Sequence, residues 1–292
     1  MNLATEGGFY RWRPAACLRV SGEDTLTFLQ GQFTNDLQQR KDGGAVYGLW
    51  LNQKGKVLAD SFVRISGRQE AWIVSYFSTA AVIRERLEAY IIADDVVIED
   101  VTERMRGVTL FGGNALPVLG LGAAAWNFLG RRTNELHVEF IYPSELESGL
   151  KAKLAGNTEL SDEDIQRLRV VSATPAVPLD IGPGDLPNEG GLETEAISYT
   201  KGCYLGQEVM ARLKNLGQVR RRLLRVSGAG EPPVRLAQVF QAARKVGELR
   251  SAVPDGAGWI GFALVSLVQL NREVGLALTP GGPPVIAFTD AS

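Results

Sequence analysis

Alternating hydrophobic and polar positions dominate the first hundred residues and predict a β-meander. Residues 16–20 alternate like a half-buried strand, and residues 45–51, 56–66 and 71–76 read as three further strands. Residues 52–56 and 66–68 lie between them and have the Asn, Gly and Lys composition of turns. Shorter strands are predicted at residues 96–100, 106–111 and 136–142.

Helix-like spacing appears between these strands. Apolar residues recur every three or four positions in residues 78–92, and residues 162–172 also read as a helix. Acidic residues before position 25 favour a short helix over residues 25–30. Ser144 and Glu147 predict a capping box at the start of a helix over residues 144–154. The Gly-, Ala- and Leu-rich stretch 112–130 predicts a buried helix flanked by turns.

The pattern changes after residue 217 to short strands with turn residues between them. Strands are predicted at residues 222–226, 239–240, 246–249, 259–268 and 274–278. This spacing favours a small β-barrel or sandwich. Antiparallel sheets with helices, followed by an all-β tail, give an α+β fold class.

Composition excludes several classes of protein. The chain has 292 residues, 45% hydrophobic and 22% charged, with a formal net charge of −2. No stretch approaches the ~18 apolar residues of a membrane span, and there is no general basic field to attract nucleic acid. The N-terminus lacks a secretion-signal or transit-peptide pattern, and two distant cysteines form no disulfide framework, so we expect a cytoplasmic protein. His137 is the only histidine, which disfavours a Ser-His-Asp triad or a zinc site, and no metal ligands are predicted.

The candidate chemistry centres on Cys203. It stands in Lys201-Gly-Cys-Tyr-Leu-Gly-Gln-Glu208, just before a stretch, residues 206–213, that reads as helical. A neighbouring lysine and a helix N-terminus both stabilise a thiolate. From the spacing alone, a reactive thiol and a small buried side chain are equally good interpretations.

A run of cations follows this motif. It contains no acidic residue and comprises Arg212, Lys214, Arg220, Arg221, Arg222 and Arg225. A solvated surface is the favoured interpretation, and contact with an anionic ligand tail, an acidic partner or RNA is the alternative.

The Cys203 motif resembles the signature of the YgfZ family of folate-binding proteins, which are relatives of the glycine-cleavage T-protein and help to make or maintain iron-sulfur proteins. The resemblance extends through residues 31–36, 52–56 and 168–222. It implies a GcvT-like, three-lobed arrangement of antiparallel sheets and helices. Residues 1–217 would form a folate-binding region of two intertwined α+β subdomains, and residues 218–292 a C-terminal β-barrel.

The resemblance also implies a set of functional residues. Tyr47, Asp60, Glu139 and Arg169 would contact tetrahydrofolate or a one-carbon derivative. A carboxylate accepts the N–H donors of a pterin, an aromatic ring offers a stacking face, and arginine suits an anionic tail. Chemistry would centre on Cys203, Lys201, Gln207 and Glu208, with Glu208 also expected to cap its helix. Iron-sulfur proteins or their assembly factors are the expected partners.

Two other functions remain open. The glycine-cleavage enzymes carry two adjacent aspartates where this chain has Ala59-Asp60, and they lack the cysteine motif, which weakens an aminomethyltransferase interpretation without removing it. The cation run leaves a non-catalytic adaptor for RNA or protein as the third hypothesis, although nucleic acid is not the expected partner. A non-classical accessory factor is favoured over a folate-dependent one-carbon transferase.

Overall fold

In the computed structural model, which describes residues 7–38, 44–112, 124–217 and 219–289, the strands form three antiparallel sheets flanked by helices. This arrangement confirms the α+β prediction. The strands are β1 Gly8–Trp12, β2 Ala16–Ser21, β3 Ala45–Leu51, β4 Val57–Ile65, β5 Glu70–Ser75, β6 Val97–Asp100, β7 Met105–Phe111, β8 Trp126–Leu129, β9 His137–Pro143, β10 Arg221–Ala229, β11 Gln238–Gln241, β12 Arg244–Asp255, β13 Gly258–Ser266 and β14 Ile286–Phe288. The helices are α1 Thr25–Gln32, α2 Ala80–Glu88, α3 Glu147–Leu154, α4 Asp162–Val171, α5 Glu193–Ala196 and α6 Gln207–Leu216.

The predicted meander forms the first sheet. Its strand order is β3-β4-β5-β2-β6, so β2 and β6 continue the meander at one edge. Helices α1 and α2 pack on one face of this sheet and bury Leu29, Ile83 and Leu87 against Trp50 and its neighbours. The opposite face carries Phe62 and Val74, which pack against the second sheet. This second layer is what places residues of both sheets around one cavity.

The second sheet has the order β1-β7-β9-β8. The prediction of a buried helix over residues 112–130 is wrong at its C-terminal end. Trp126–Leu129 forms strand β8, which pairs with β9. Trp126 and Phe128 alternate inward on this strand and join the core beside Phe62. Residues 113–123 of the predicted helix lie outside the described residues.

Helix starts were predicted with mixed success. The capping box expected at Ser144 and Glu147 is wrong, because a short 3₁₀ turn over Ser144–Leu146 precedes α3 and no side-chain cap forms there. Helix α4 does begin with a capping box, in which Ser161 and Asp164 exchange hydrogen bonds. This capping box was not predicted from the sequence, although Ser161 and Asp164 have the same three-residue spacing as Ser144 and Glu147.

The third sheet contains β10 to β14 in the order β11-β12-β13-β10-β14. It curls into a half-barrel, and the segment at Leu276 and Ala277 bridges to β14 and β11, the two edge strands. The predicted strand over residues 274–278 thus consists of isolated bridges. Leu264 of β13 packs into a core shared with Leu49 and Tyr204, so the third sheet contacts the region that carries the motifs. The predicted domain boundary at residues 217 and 218 stays a prediction.

Within the described residues, every helix is too short or too polar to cross a bilayer. Cytoplasmic localisation remains a prediction.

Candidate functional site

Three sequence motifs that are far apart in the chain meet at one place. The Lys201 ammonium is buried and donates hydrogen bonds to the backbone carbonyls of Gln30 at 2.6 Å, Phe33 at 2.6 Å and Asn35 at 3.1 Å. Two of these carbonyls lie at the C-terminal end of α1, where a cation interacts favourably with the helix dipole. Burial lowers the pKa of Lys201 to about 8. Lys201 therefore fastens the cysteine motif to residues 31–36.

The turn at residues 52–56 completes this junction. Gly206 adopts a φ of +87°, and a Cβ atom there would lie 3.0 Å from the Asn52 carbonyl oxygen. Gly55, with φ of +68°, packs equally closely against Val209 of α6. Glycine is required at both positions because a Cβ atom would crowd the Asn52 backbone or the Val209 side chain, and because both dihedral angles are left-handed.

Cys203 is exposed, four residues before the first residue of α6. This accessibility is what a ligand or exchange role requires, and it excludes the buried-side-chain interpretation. The Lys201 ammonium faces three carbonyls, so its hydrogen bonds serve the fold of the motif. Gln207 is the first residue of α6, and Glu208 is exposed in the first turn of this helix. The side chain of Glu208 does not form the expected cap. Glu208 can still interact with the helix dipole.

Tyr47 and Asp60 lie side by side on the adjacent strands β3 and β4. The Tyr47 hydroxyl donates to Asp60 at 3.0 Å, and the hydroxyls of Ser75 and Ser78 donate to the same carboxylate at 3.0 and 2.8 Å. Burial raises the pKa of Asp60, and these three hydrogen bonds oppose that shift. Because Asp60 is 5% exposed and holds three donors, it reaches a ligand only through Tyr47.

A cavity of about 310 Å³ opens beside Tyr47 between the first and second sheets. The guanidinium of Arg131 stacks 4.7 Å above the Tyr47 ring and donates at 2.6 Å to Glu195 of α5 and to the Pro175 carbonyl. Asn35 also lines the cavity and donates 2.9 Å hydrogen bonds to the carbonyls of Tyr47 and Glu195. Since Asn35 accepts from Lys201 through its own carbonyl, the cysteine motif and the cavity share a wall.

Glu139 lies behind this cavity, in a cluster of buried polar side chains. It is fully buried, pairs with Arg132 at 2.9 Å, and accepts from the hydroxyls of Tyr76 at 2.8 Å and Thr109 at 2.7 Å. Burial lowers the pKa of the adjacent His137, whose Nε2 accepts the Arg132 backbone N–H. The carboxylate that was predicted to contact the pterin is thus already bound by side chains of the protein itself.

Arg169 is placed away from the cavity. It lies in α4 and forms a buried ion pair with Asp180, with further hydrogen bonds to Gln166 and to Ser251 of the third sheet. These interactions are all with other side chains of the protein, so Arg169 helps to hold α4 against the third sheet. The geometry does not support the predicted contact with a folate tail.

The cation run is divided by the fold. Arg221 pairs with Asp185 and Glu189, and Arg225 donates to the Val171 carbonyl. Lys214 stacks over Tyr199 at 4.3 Å. The run therefore does not form one continuous basic surface in the described residues, and the favoured surface interpretation accounts for it.

The sequence reasoning missed the residues that now matter most in the cavity. Arg131 and Arg132 lie in the turn between β8 and β9, directly after the region predicted as a helix, residues 112–130. Glu195 lies in the four-residue helix α5, which carries no distinct motif. The available signal was the Arg-Arg pair that begins two residues beyond a strand of alternating aromatics.

Comparisons with known proteins identify a matching family model and similar chains. The family model described as GCVT N-terminal domain matches residues 7–125. The chain is similar to the human mitochondrial iron-sulfur cluster assembly factor IBA57, at 29% identity over 92% of this chain and 80% of that protein. It is also similar to the tRNA-modifying protein YgfZ of Colwellia psychrerythraea, at 26% identity over 79% of this chain and 74% of that protein.

A solved structure extends the comparison to the fold. The glycine cleavage system aminomethyltransferase T from Bartonella henselae superposes with a TM-score of 0.79 and 17% identity, covering 94% of this chain and 82% of that one. At this identity the match shows the GcvT-like fold alone.

Proposed function

Because this chain belongs to the GcvT-like family that includes the YgfZ and IBA57 proteins, we propose that it is a folate-binding accessory factor in the assembly or repair of iron-sulfur proteins. The iron-sulfur part rests on the relatives, one of which is named an iron-sulfur cluster assembly factor. The folate part rests on the site, as follows.

The observation that carries the folate proposal is the cavity beside Tyr47. Its walls carry Tyr47, whose hydroxyl lies on Asp60 and whose ring lies under the Arg131 guanidinium, and the carboxylates of Asp36 and Glu195. A reduced pterin presents a flat ring and N–H donors, which match an aromatic face and carboxylate acceptors. Arg131 adds a cation that suits a carboxylate of the folate tail.

Cys203 supplies the second half of the proposal. Its thiol is exposed, and Lys201 and Asn35 tie its motif to the cavity wall. Common clusters are held by four thiolates, so one cysteine acts on a cluster only together with a partner protein or a second copy of the chain. We propose that Cys203 meets the iron-sulfur client as a ligand or thiol-exchange partner, while the folate cavity lies behind it.

An aminomethyltransferase activity has less support. That reaction needs a carboxylate beside the folate nitrogen, and Asp60 is enclosed by Tyr47, Ser75 and Ser78. A turnover assay with a lipoyl carrier protein and tetrahydrofolate separates the two functions, because only the transferase forms a one-carbon folate from it.

Replacing Tyr47 tests the folate cavity directly. We expect tetrahydrofolate to bind the wild-type protein and Tyr47→Ala to raise the dissociation constant about tenfold, since a well-placed aromatic contact contributes about 0.5–1.5 kcal/mol beyond its buried area. Calorimetric titration measures both constants. Tyr90→Ala makes the same change at a ring that stacks with Arg86 and should leave the constant unchanged. A wild-type protein that binds nothing at millimolar folate would refute the folate proposal.

Replacing Cys203 tests the iron-sulfur half. We expect Cys203→Ser to keep the folate affinity within about twofold and to fail to restore iron-sulfur enzyme activity in cells that lack this protein, because the exposed thiol is removed while the cavity stays intact. Cys17→Ala is the matched control. Cys17 is fully buried and burial raises its pKa to about 12, so this thiol is inert and its loss should be tolerated. Full complementation by Cys203→Ser would contradict the proposed role.

A further inference from the structure

Arg86 of α2 is a buried cation that has no anionic partner in the part of the chain that the structure describes. Its residue is 7% exposed. The buried guanidinium groups of Arg132 and Arg169 differ, because each of them lies on a carboxylate. Burial lowers the pKa of Arg86, and the Tyr90 hydroxyl opposes this shift. A buried charge is costly unless it is paired, so this guanidinium is a candidate site for an anion.

The hydrogen bonds of Arg86 leave one of its nitrogens unused. Nε donates to the Leu51 carbonyl at 2.8 Å, and Nη1 donates to Oε1 of Gln32 at 3.0 Å. Both acceptors are uncharged. Nη2 is buried, and no acceptor among the described residues reaches it. The two neutral acceptors explain how α2 is held to β3 and α1, but they do not use the charge or the two N–H donors of Nη2.

Two side chains separate this guanidinium from solvent. The Tyr90 ring is half-buried, and its centroid lies 4.4 Å from Cζ of Arg86. Nε2 of Gln53, an exposed residue, donates to the Tyr90 hydroxyl at 3.4 Å, which is long for a hydrogen bond. This cover is held weakly, so it can open without disturbing the core. Because the ring occupies one face of the guanidinium, a ligand reaches Nη2 in the plane of the group, and a flat carboxylate matches that approach.

The acceptors of this guanidinium belong to segments that hold the Cys203 motif. A Cβ atom at Gly206 would lie 3.3 Å from Cδ1 of Leu51. The residue before Gln32 is Gly31, whose carbonyl accepts the Leu205 N–H at 3.3 Å. An anion at Nη2 would therefore lie next to the junction that carries the exposed thiol.

We propose that Arg86 anchors a second binding site, in which Nη2 holds a planar carboxylate behind Tyr90 and Gln53. Helix α2 packs on the face of the first sheet opposite to the second sheet, so this site is separate from the cavity beside Tyr47. The carboxylate belongs to a small free acid or to an acidic side chain of a protein partner, and the chemistry at Nη2 is the same for both. The proposal does not depend on folate binding.

Thermal unfolding in sodium formate tests the site, with sodium chloride at the same ionic strength as the reference. We expect a saturable rise of about 2–4 °C in the wild-type melting temperature at about ten times the half-saturating formate concentration, because a ligand that binds the folded state stabilises it. Arg86→Gln should show no rise. Arg84→Gln is the matched control on the same helix and should keep the full response, since Arg84 is exposed and pairs with Glu88. A wild-type protein that responds equally to formate and chloride overturns the proposal, as does a full formate response in Arg86→Gln.

Gln53→Ala keeps the proposal testable if Arg86→Gln does not fold. This variant loosens the cover, so we expect its half-saturating formate concentration to fall about threefold, because a larger fraction of the protein is open to the ligand. An unchanged or higher concentration contradicts the site behind Tyr90.

Two further ligands separate the sources of the carboxylate. The same titration is made with glutamate whose amino and α-carboxyl groups are blocked as amides, and with inorganic phosphate. A response to formate alone supports a small free acid, and a response to the blocked glutamate as well supports an acidic side chain of a partner. Saturation by phosphate at a lower concentration than by formate overturns the assignment to a carboxylate.

Discussion

Arg169→Met is expected to lower the free energy of unfolding by about 3–5 kcal/mol without changing folate affinity. The substitution leaves Asp180 as a buried carboxylate without its cation, in a pair whose side chains are 4% and 0% exposed. Breaking a buried ion pair by removing one partner costs this much because the remaining charge is neither paired nor hydrated. Two donors remain, the Ala176 N–H at 2.8 Å and the Ser251 hydroxyl at 2.5 Å, so the variant should still fold.

The same helix offers the matched control. Arg167 pairs with Asp255 at 2.6 Å, but these side chains are 48% and 31% exposed. Arg167→Met should cost no more than about 1 kcal/mol, because solvent screens exposed pairs. Urea unfolding of both variants and calorimetric titration with tetrahydrofolate provide the comparison. A large loss of folate affinity in Arg169→Met at full stability would restore Arg169 to the ligand site.

Local patterns were sufficient to predict most of the first sheet. Strands β3, β4 and β5 follow from alternating apolar residues and from turns rich in Asn and Gly, because side chains on a half-buried strand alternate between core and solvent. The motif resemblance also identified Tyr47 and Asp60, which the structure joins by a hydrogen bond. The strands and this pair each depend on information carried within about fifteen consecutive residues, while the contact of the pair with folate stays a prediction.

The hydrogen-bond and ion-pair partners of the other predicted site residues could not be predicted from such local patterns. Arg169 is satisfied by Asp180, Glu139 by Arg132, and Lys201 by carbonyls some 166 to 171 positions away. Such pairings depend on how sheets and loops pack, and the hydrophobic pattern does not encode them. The resemblance supplied residue types at matching positions, but it does not state which side chains fill the space between those positions.

Lys201→Met is expected to destabilise the protein by roughly 3 kcal/mol or more. The buried carbonyl of Phe33 and the partly buried carbonyls of Gln30 and Asn35 lose their donor, and an unsatisfied buried group costs about 1–3 kcal/mol. The methionine side chain fills similar volume, so the loss reports the hydrogen bonds and the charge at the end of α1 more than a cavity. Chemical denaturation measures the total.

A second measurement separates this anchoring role from a direct effect on Cys203. The Leu205 N–H donates to the Gly31 carbonyl across the junction, so its hydrogen exchange should accelerate in Lys201→Met as the motif detaches. Lys214→Met is the control, because Lys214 is exposed and stacks on Tyr199, a contact worth about 0.5–1 kcal/mol. If both variants lose the same stability and Leu205 exchange is unchanged, Lys201 does not hold the motif. Lys201 would then be free to act on the thiol, as the sequence first indicated.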